Sequence, residues 1–261
     1  MARTAVVTGA SSGIGAALAR ELAIAGWDLL VTARREQRLL VQQQELEEKH
    51  GVRVTVHAAD LANPDDRAGL LAAIDTIPGG AACLVHAAGS AAWDRFEQLD
   101  PVQEGRRVSV ATTATVELVG QVWPGILARD DGLLIIVSSL AAWQPTPYMA
   151  TYAAGKAFQR SFAEALGAEA AAAGSSARVL ALCPGPVDTE FAWVAGTQPL
   201  AERVPVLKPV ELARETLKRA GAHKGSVAYV PGWRNRVSAT AAAVLPRGLV
   251  TRISERNHRP R

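Results

Sequence analysis

The sequence predicts an α/β protein, a single doubly wound domain with a seven-stranded parallel sheet flanked by helices. Three observations predict it. Short β-rich apolar runs alternate with helix-prone stretches along the 261 residues. Most of those runs are continuously apolar, as strands buried on both faces of a parallel sheet are. A glycine-rich turn, Thr8-Gly9-Ala10-Ser11-Ser12-Gly13-Ile14-Gly15, follows the first run and opens the first helical stretch.

The seven strands are expected at residues 4–7, 28–32, 53–57, 82–86, 132–138, 178–183 and 227–230. Helix starts stand between them. Asn63-Pro64-Asp65-Asp66 offers an N-cap, a proline at the first helical position and an acid two residues further on. Asp100-Pro101-Val102-Gln103 repeats that logic, and Gly26, Gly51, Gly174 and Gly221 stand near helix ends. The alanine-rich stretch 151–173 is strongly helix-prone. No linker, low-complexity break or solenoid repeat divides the chain, so residues 1–233 are expected to form one domain. Residues 234–261 read as a basic extension, packed on that domain or placed at a subunit contact.

Composition narrows the function. Hydrophobic residues make up 49% and charged residues 20%, ordinary for a globular protein. No apolar run reaches the roughly 18 residues of a membrane span. The turn is reached by Gly9, so no secretory leader is expected ahead of the fold. Cys83 and Cys183 border apolar runs and read as buried reduced thiols, consistent with the cytoplasm. No cluster has metal-ligand spacing, and no metal is expected. Charge is uneven: the last 28 residues hold seven arginines and one acid. Taking these from the 28 basic and 25 acidic residues leaves an acidic excess of three, so no nucleic-acid-binding body is indicated.

Three groups of residues carry chemistry. Gly9, Gly13 and Gly15, with Ser11, Ser12 and Ile14 between them, permit close approach of backbone N–H groups to a pyrophosphate at a helix N-terminus. The second strand ends Ala33-Arg34-Arg35, without the acid that holds a ribose 2′-hydroxyl in NAD sites. Guanidinium groups pair with a 2′-phosphate instead, which points to NADP(H), with Arg34 ranked before Arg35. Tyr152 and Lys156, at i and i+4, share one face of a helix, with Ser139 upstream. An ammonium beside the phenol is expected to lower its pKa toward neutral, fitting it for proton transfer to or from a carbonyl oxygen.

In order along the chain, the glycine turn, Asp60-Leu61, Ala87-Ala88-Gly89, Ser139, Tyr152-x3-Lys156 and Pro184-Gly185 resemble the short-chain dehydrogenase/reductase family. The resemblance covers residues 4 to about 229 and implies a Rossmann-type catalytic domain. It implies that Asp60 and Leu61 hold the adenine and that Ala88 and Gly89 line the cofactor. Ser139 would hydrogen-bond the substrate oxygen, Tyr152 act as general acid and base, and Lys156 hold the nicotinamide ribose. Pro184 and Gly185 would back the nicotinamide, with Val187 and Thr189 near its carboxamide. Ser138 is expected to end its strand. There are two departures. His86 stands where the family has asparagine, and is given no catalytic role. Ala111 replaces an asparagine that in many members anchors a water beside the lysine; alanine has no side-chain group to hold one.

Substrate-pocket candidates are Trp93, Trp143, Tyr148, Phe191 and Trp193, aromatics that suit an apolar carbonyl compound. Residues 190–208 could form a lid, with Arg203 and Lys208 available to an acidic group. Pro246-Arg247-Gly248 should interrupt any helix in the tail, and residues 257–261 are expected to fray. The expected function is cytoplasmic, NADPH-dependent reduction of an apolar ketone, aldehyde or 3-oxoacyl carbonyl, by a homodimer or homotetramer. Two alternatives stay open: an NADP(H)-binding scaffold, motivated by Ala111, and a membrane-surface lipid reductase, motivated by the basic tail.

Overall fold

The computed structural model describes residues 3–197, 206–222 and 227–260. Seven strands form one parallel sheet in the order β3-β2-β1-β4-β5-β6-β7. They are β1 Thr4–Thr8, β2 Asp28–Ala33, β3 Val54–Ala58, β4 Cys83–His86, β5 Leu133–Val137, β6 Arg178–Leu182 and β7 Ala228–Tyr229. Each agrees within about two residues with the expected run.

The continuous apolar runs arise because alternate side chains enter two cores. On one face Ala5, Val7, Val31, Val85 and Ile135 pack with Leu18, Leu39 and Leu212. On the other, Val6, Leu30, Leu84, Leu134 and Ile136 pack with Leu70, Leu118 and Ala163. The first face is covered by α1 (Gly13–Ile24), α2 (Glu36–His50) and α8 (Pro209–Ala222). The second is covered by α3 (Pro64–Asp75), α5 (Thr113–Leu127) and α6 (Ala150–Ala172). The helix α4 (Pro101–Ala111) precedes α5 and breaks from it at Thr112.

The helix starts follow the sequence chemistry. Asn63 Oδ1 accepts from the Asp65 amide at 3.0 Å, and Asp100 Oδ1 from the Val102 amide at 2.9 Å. Beyond β6 lie the short α7 (Phe191–Ala195) and two helices of the basic extension, α9 (Trp233–Val244) and α10 (Arg247–His258). The chain turns between these two at Leu245-Pro246, as the proline implies. Residue 261 lies outside the described residues, and the fraying expected of residues 257–261 does not begin at Asn257: α10 continues through His258. Its carbonyl accepts from Trp93 Nε1 at 2.5 Å, which ties the helix end to the domain.

The strand order reverses between β1 and β4, where the connections leave to opposite sides and open a crevice at the carboxyl ends of the strands.

Candidate active site

That crevice is a cavity of about 1450 Å³. The turn from Gly9 to Gly15 lines one end. Gly9 has φ 67°, and a Cβ there would stand 2.9 Å from the Ala87 carbonyl and the Ala88 amide nitrogen. The two loops therefore meet only because residue 9 is glycine. Thr8 Oγ1 ties the same corner, accepting from the Ala87 and Ala88 amides at 3.1 Å each. The backbone cradle opening α1 fits a dinucleotide pyrophosphate.

Arg34 and Arg35 both line this end. The two differ in what already engages them. Arg35 donates to Ser11 at 3.1 and 3.2 Å, to Ser12 at 2.7 Å and to Glu190 at 2.6 Å. Arg34 is exposed and has no side-chain partner among the described residues. Arg38, one turn along α2, reaches the other Glu190 oxygen at 2.6 Å. Glu190 thus sits between two guanidinium groups, which hold it below its usual pKa. Arg38 and Glu190 escaped sequence reasoning: 152 positions separate them, and no local pattern joins them. Asp60 and Leu61 line the neighbouring wall. Arg106 donates to Asp60 Oδ2 at 2.7 Å, another partner that only the fold supplies.

Ala88, Gly89, Ser139, Tyr152, Lys156, Pro184, Gly185, Val187 and Thr189 line the middle of the cavity. The chain separates the two candidate serines. Ser138 is buried and its hydroxyl donates to the Lys156 carbonyl at 2.7 Å. Ser139 caps the short helical turn Leu140–Trp143, its Oγ accepting from the Ala141 amide at 3.1 Å, and faces the cavity. Lys156 Nζ lies 5.7 Å from the Tyr152 ring centroid and donates to the Val137 carbonyl at 2.8 Å.

Electrostatics differ from the expectation for Tyr152. Burial pushes its phenol up, and only a hydrogen bond with Ser139 pulls it back. The ammonium does not bring it toward neutral, because Lys156 is committed to other acceptors and is itself lowered by burial to about 8. His86 is buried and meets Thr8 Oγ1 through Nδ1 at 3.0 Å. Burial, then the Lys156 charge, lower it to about 4, so it is neutral near pH 7.

Of the five pocket candidates only Phe191 lines the cavity; its ring centroid is 5.5 Å from that of Tyr152. Trp143 packs against the second core beneath Arg160, 4.0 Å from its ring. Trp93 packs behind Tyr152 and Phe191 and holds His258. Tyr148, at φ 67°, donates to Glu255 Oε1 at 2.6 Å. Trp193 is 76% exposed and points away. The extension forms the wall instead: Asn235, Ser238, Ala242, Leu245, Val250 and Ile253 all line it. A Cβ at Gly185 would meet Asn235 Nδ2 at 2.8 Å, so this glycine admits α9 to the site. Helix α7 begins the expected lid; residues 198–205, including Arg203, lie outside the described residues.

A crevice at a sheet switch point with serine, tyrosine and lysine converging beside it is the architecture of an α/β oxidoreductase. The chain belongs to the short-chain dehydrogenase family, whose model matches residues 3–199. It is 36% identical over 169 residues to the very-long-chain 3-oxoacyl-CoA reductase of Laccaria bicolor, covering 63% of this chain and 49% of that protein. The match thus spans about half the length of that relative. It is 34% identical over 199 residues to sulfoacetaldehyde reductase 2 of Chromohalobacter salexigens, covering 74% of this chain and 76% of that one. A short-chain dehydrogenase from Sphingobium yanoikuyae in complex with NADPH superposes with TM-score 0.80 at 29% identity, over 92% of this chain and 93% of that chain.

Proposed function

We propose that the protein is an NADPH-dependent reductase of an apolar ketone, aldehyde or 3-oxoacyl carbonyl, working reversibly. The observation that carries this is the convergence of Ser139, Tyr152 and Lys156 on one wall of a cavity whose far end gathers Arg35 beside the glycine turn. The turn would hold the pyrophosphate, Arg34 and Arg35 with Arg38 the 2′-phosphate, Asp60 and Leu61 the adenine, and Lys156 the nicotinamide ribose. Ala88, Gly89, Pro184, Gly185, Val187 and Thr189 would line the rest of the cofactor. The bound nicotinamide supplies the hydride.

The chain's residues supply position and a proton. Ser139 orients the substrate oxygen and donates to it as negative charge grows there. Tyr152, kept as a neutral phenol by burial, gives that oxygen its proton in reduction. Leu245, Val250, Ile253 and Phe191 form an apolar wall suited to an acyl chain, and the relative named very-long-chain 3-oxoacyl-CoA reductase favours that class. The free buried thiols Cys83 and Cys183 suit a cytoplasmic enzyme, and none of the described helices is long and apolar enough to cross a membrane. A homodimer or homotetramer is expected, and light scattering measures it.

The test is NADPH oxidation over a panel of ketones, aldehydes and acyl thioesters, with Tyr152→Phe alongside. The variant should lose about 10²–10⁴-fold in kcat/KM while keeping its NADPH affinity. Full activity in Tyr152→Phe would sink the mechanism. Tight NADPH binding without turnover of any substrate would favour a binding scaffold.

A further inference from the structure

Behind the cavity wall a chain of hydrogen bonds supports Lys156. Its Nζ donates to Gln159 Oε1 at 2.9 Å. Gln159 Nε2 donates to Thr115 Oγ1 at 3.2 Å, and Thr115 Oγ1 donates to the Ala111 carbonyl at 2.9 Å. Gln159 and Thr115 are fully buried, and Lys156 is 6% exposed.

The order of donors fixes the amide. A hydroxyl has one proton. Thr115 directs it to Ala111, so its oxygen can only accept from Gln159. Gln159 must then turn its NH2 to Thr115 and its carbonyl to Lys156. A flipped amide would set donor against donor at Lys156, and its oxygen could pair with Thr115 only if that hydroxyl gave up Ala111, which in a buried site costs more than in water. Gln159 is the one side-chain acceptor of Lys156 among the described residues.

Ala111 closes the alternative route. A Cβ at Gly155 would stand 2.7 Å from Ala111 Cβ, so α4 and α6 touch there. A longer side chain at 111 would have to enter that contact. Residue 111 reaches Lys156 through its backbone carbonyl, by way of Thr115 and Gln159.

We propose that Gln159 is a positioning residue: oriented by Thr115, its carbonyl anchors the Lys156 ammonium on the cavity wall. The inference rests on the reading of Lys156 as part of the reductase site. The titratable groups facing Lys156 are Tyr152, His86 and Cys183. His86 at about 4 and Cys183 at about 11 are both uncharged at neutral pH, so neither competes with Gln159 for the ammonium.

The experiment follows Lys156 directly. The chain has five lysines, so ¹³Cε-lysine labelling gives few resonances, and the one missing in Lys156→Met identifies Lys156. Titrated without NADPH, Gln159→Leu should move the Lys156 midpoint down by about one pH unit. Gln159→Glu should move it up. Thr115→Val, which frees the amide to turn, should move it down by less. A purely structural role would lower the melting temperature without these opposite shifts. An unchanged midpoint in Gln159→Leu and Thr115→Val overturns the inference. If Gln159→Leu does not fold, Thr115→Val decides. Kinetics of Tyr152→Phe separate the two claims. Loss of activity there with unmoved midpoints leaves the reductase reading and removes the Gln159 one. Full activity there with shifted midpoints does the reverse.

Discussion

Burial lowers the Lys156 ammonium to about 8 from its ordinary 10.5, and stability follows that shift. Below pH 8 folded and unfolded chains both carry the proton, and the folded state bears the full desolvation penalty. Between about 8 and 10.5 the folded chain releases it while the unfolded chain keeps it, so the unfolding free energy contributed by Lys156 rises with pH. Urea unfolding of wild type and Lys156→Met at pH 7 and pH 10 should show that rise, on the order of a few kcal/mol, as a change in the difference between the two proteins, because the buried phenols and thiols titrate in both. The arginines give a second prediction. Arg35→Ala removes the guanidinium gathered with Ser11, Ser12 and Glu190, and should weaken NADPH binding about tenfold or more with NADH binding little changed. Arg34→Ala tests the other candidate, whose exposed side chain has no partner among the described residues and is free to meet the phosphate. Fluorescence titration with the two cofactors checks both. The sequence placed two arginines after β2, but their adjacency carries no information on which one bends back to the turn.

The strands were legible because both their faces are buried, so each run is apolar without a break. Leu134, on the fully buried β5, illustrates the energy involved. Leu134→Ala should destabilise by about 2–5 kcal/mol. Asn63→Ala, which removes the cap of α3 and the bond its amide gives Asp66, should cost about 1 kcal/mol. Chemical denaturation that ranked the two in the opposite order would contradict this account of the element energetics. The caps were legible because a side chain and the amides it meets lie within two residues. The break between α4 and α5 was not. Nothing in Val108-Ser109-Val110-Ala111-Thr112-Thr113 announces it as glycine or proline would.

For the molecule as a whole, the C-terminal extension closes one end of the cavity. Trp93 and Tyr148 were read as substrate contacts, yet both grip α10, through the His258 carbonyl and the Glu255 carboxylate. Trp93→Phe removes one of these bonds, worth about 0.5–1.5 kcal/mol, while keeping the ring in its place. The expected result is a KM for apolar substrates raised about 2- to 10-fold with NADPH affinity unchanged, because α10 meets only the substrate end. Steady-state kinetics and NADPH titration separate these effects, and an equal loss of both would show that the helix supports the whole crevice.

The sequence by itself determined the parallel sheet, the glycine turn, and the Ser139, Tyr152 and Lys156 set. The sheet, the turn and the Tyr152–Lys156 pair are encoded by a local period, a turn and a short spacing along one element; Ser139, on a separate element, joined them through the family resemblance. Tertiary structure alone decided that Arg35 and Arg38 share Glu190, that α9 and α10 wall the cavity, and that Gln159 meets Lys156 with its carbonyl. Gln159 is only three positions from Lys156, so the sequence does place the two within reach. The direction of its amide depends on Thr115, 44 positions away, and such a partner exists only once α5 and α6 pack against the same sheet.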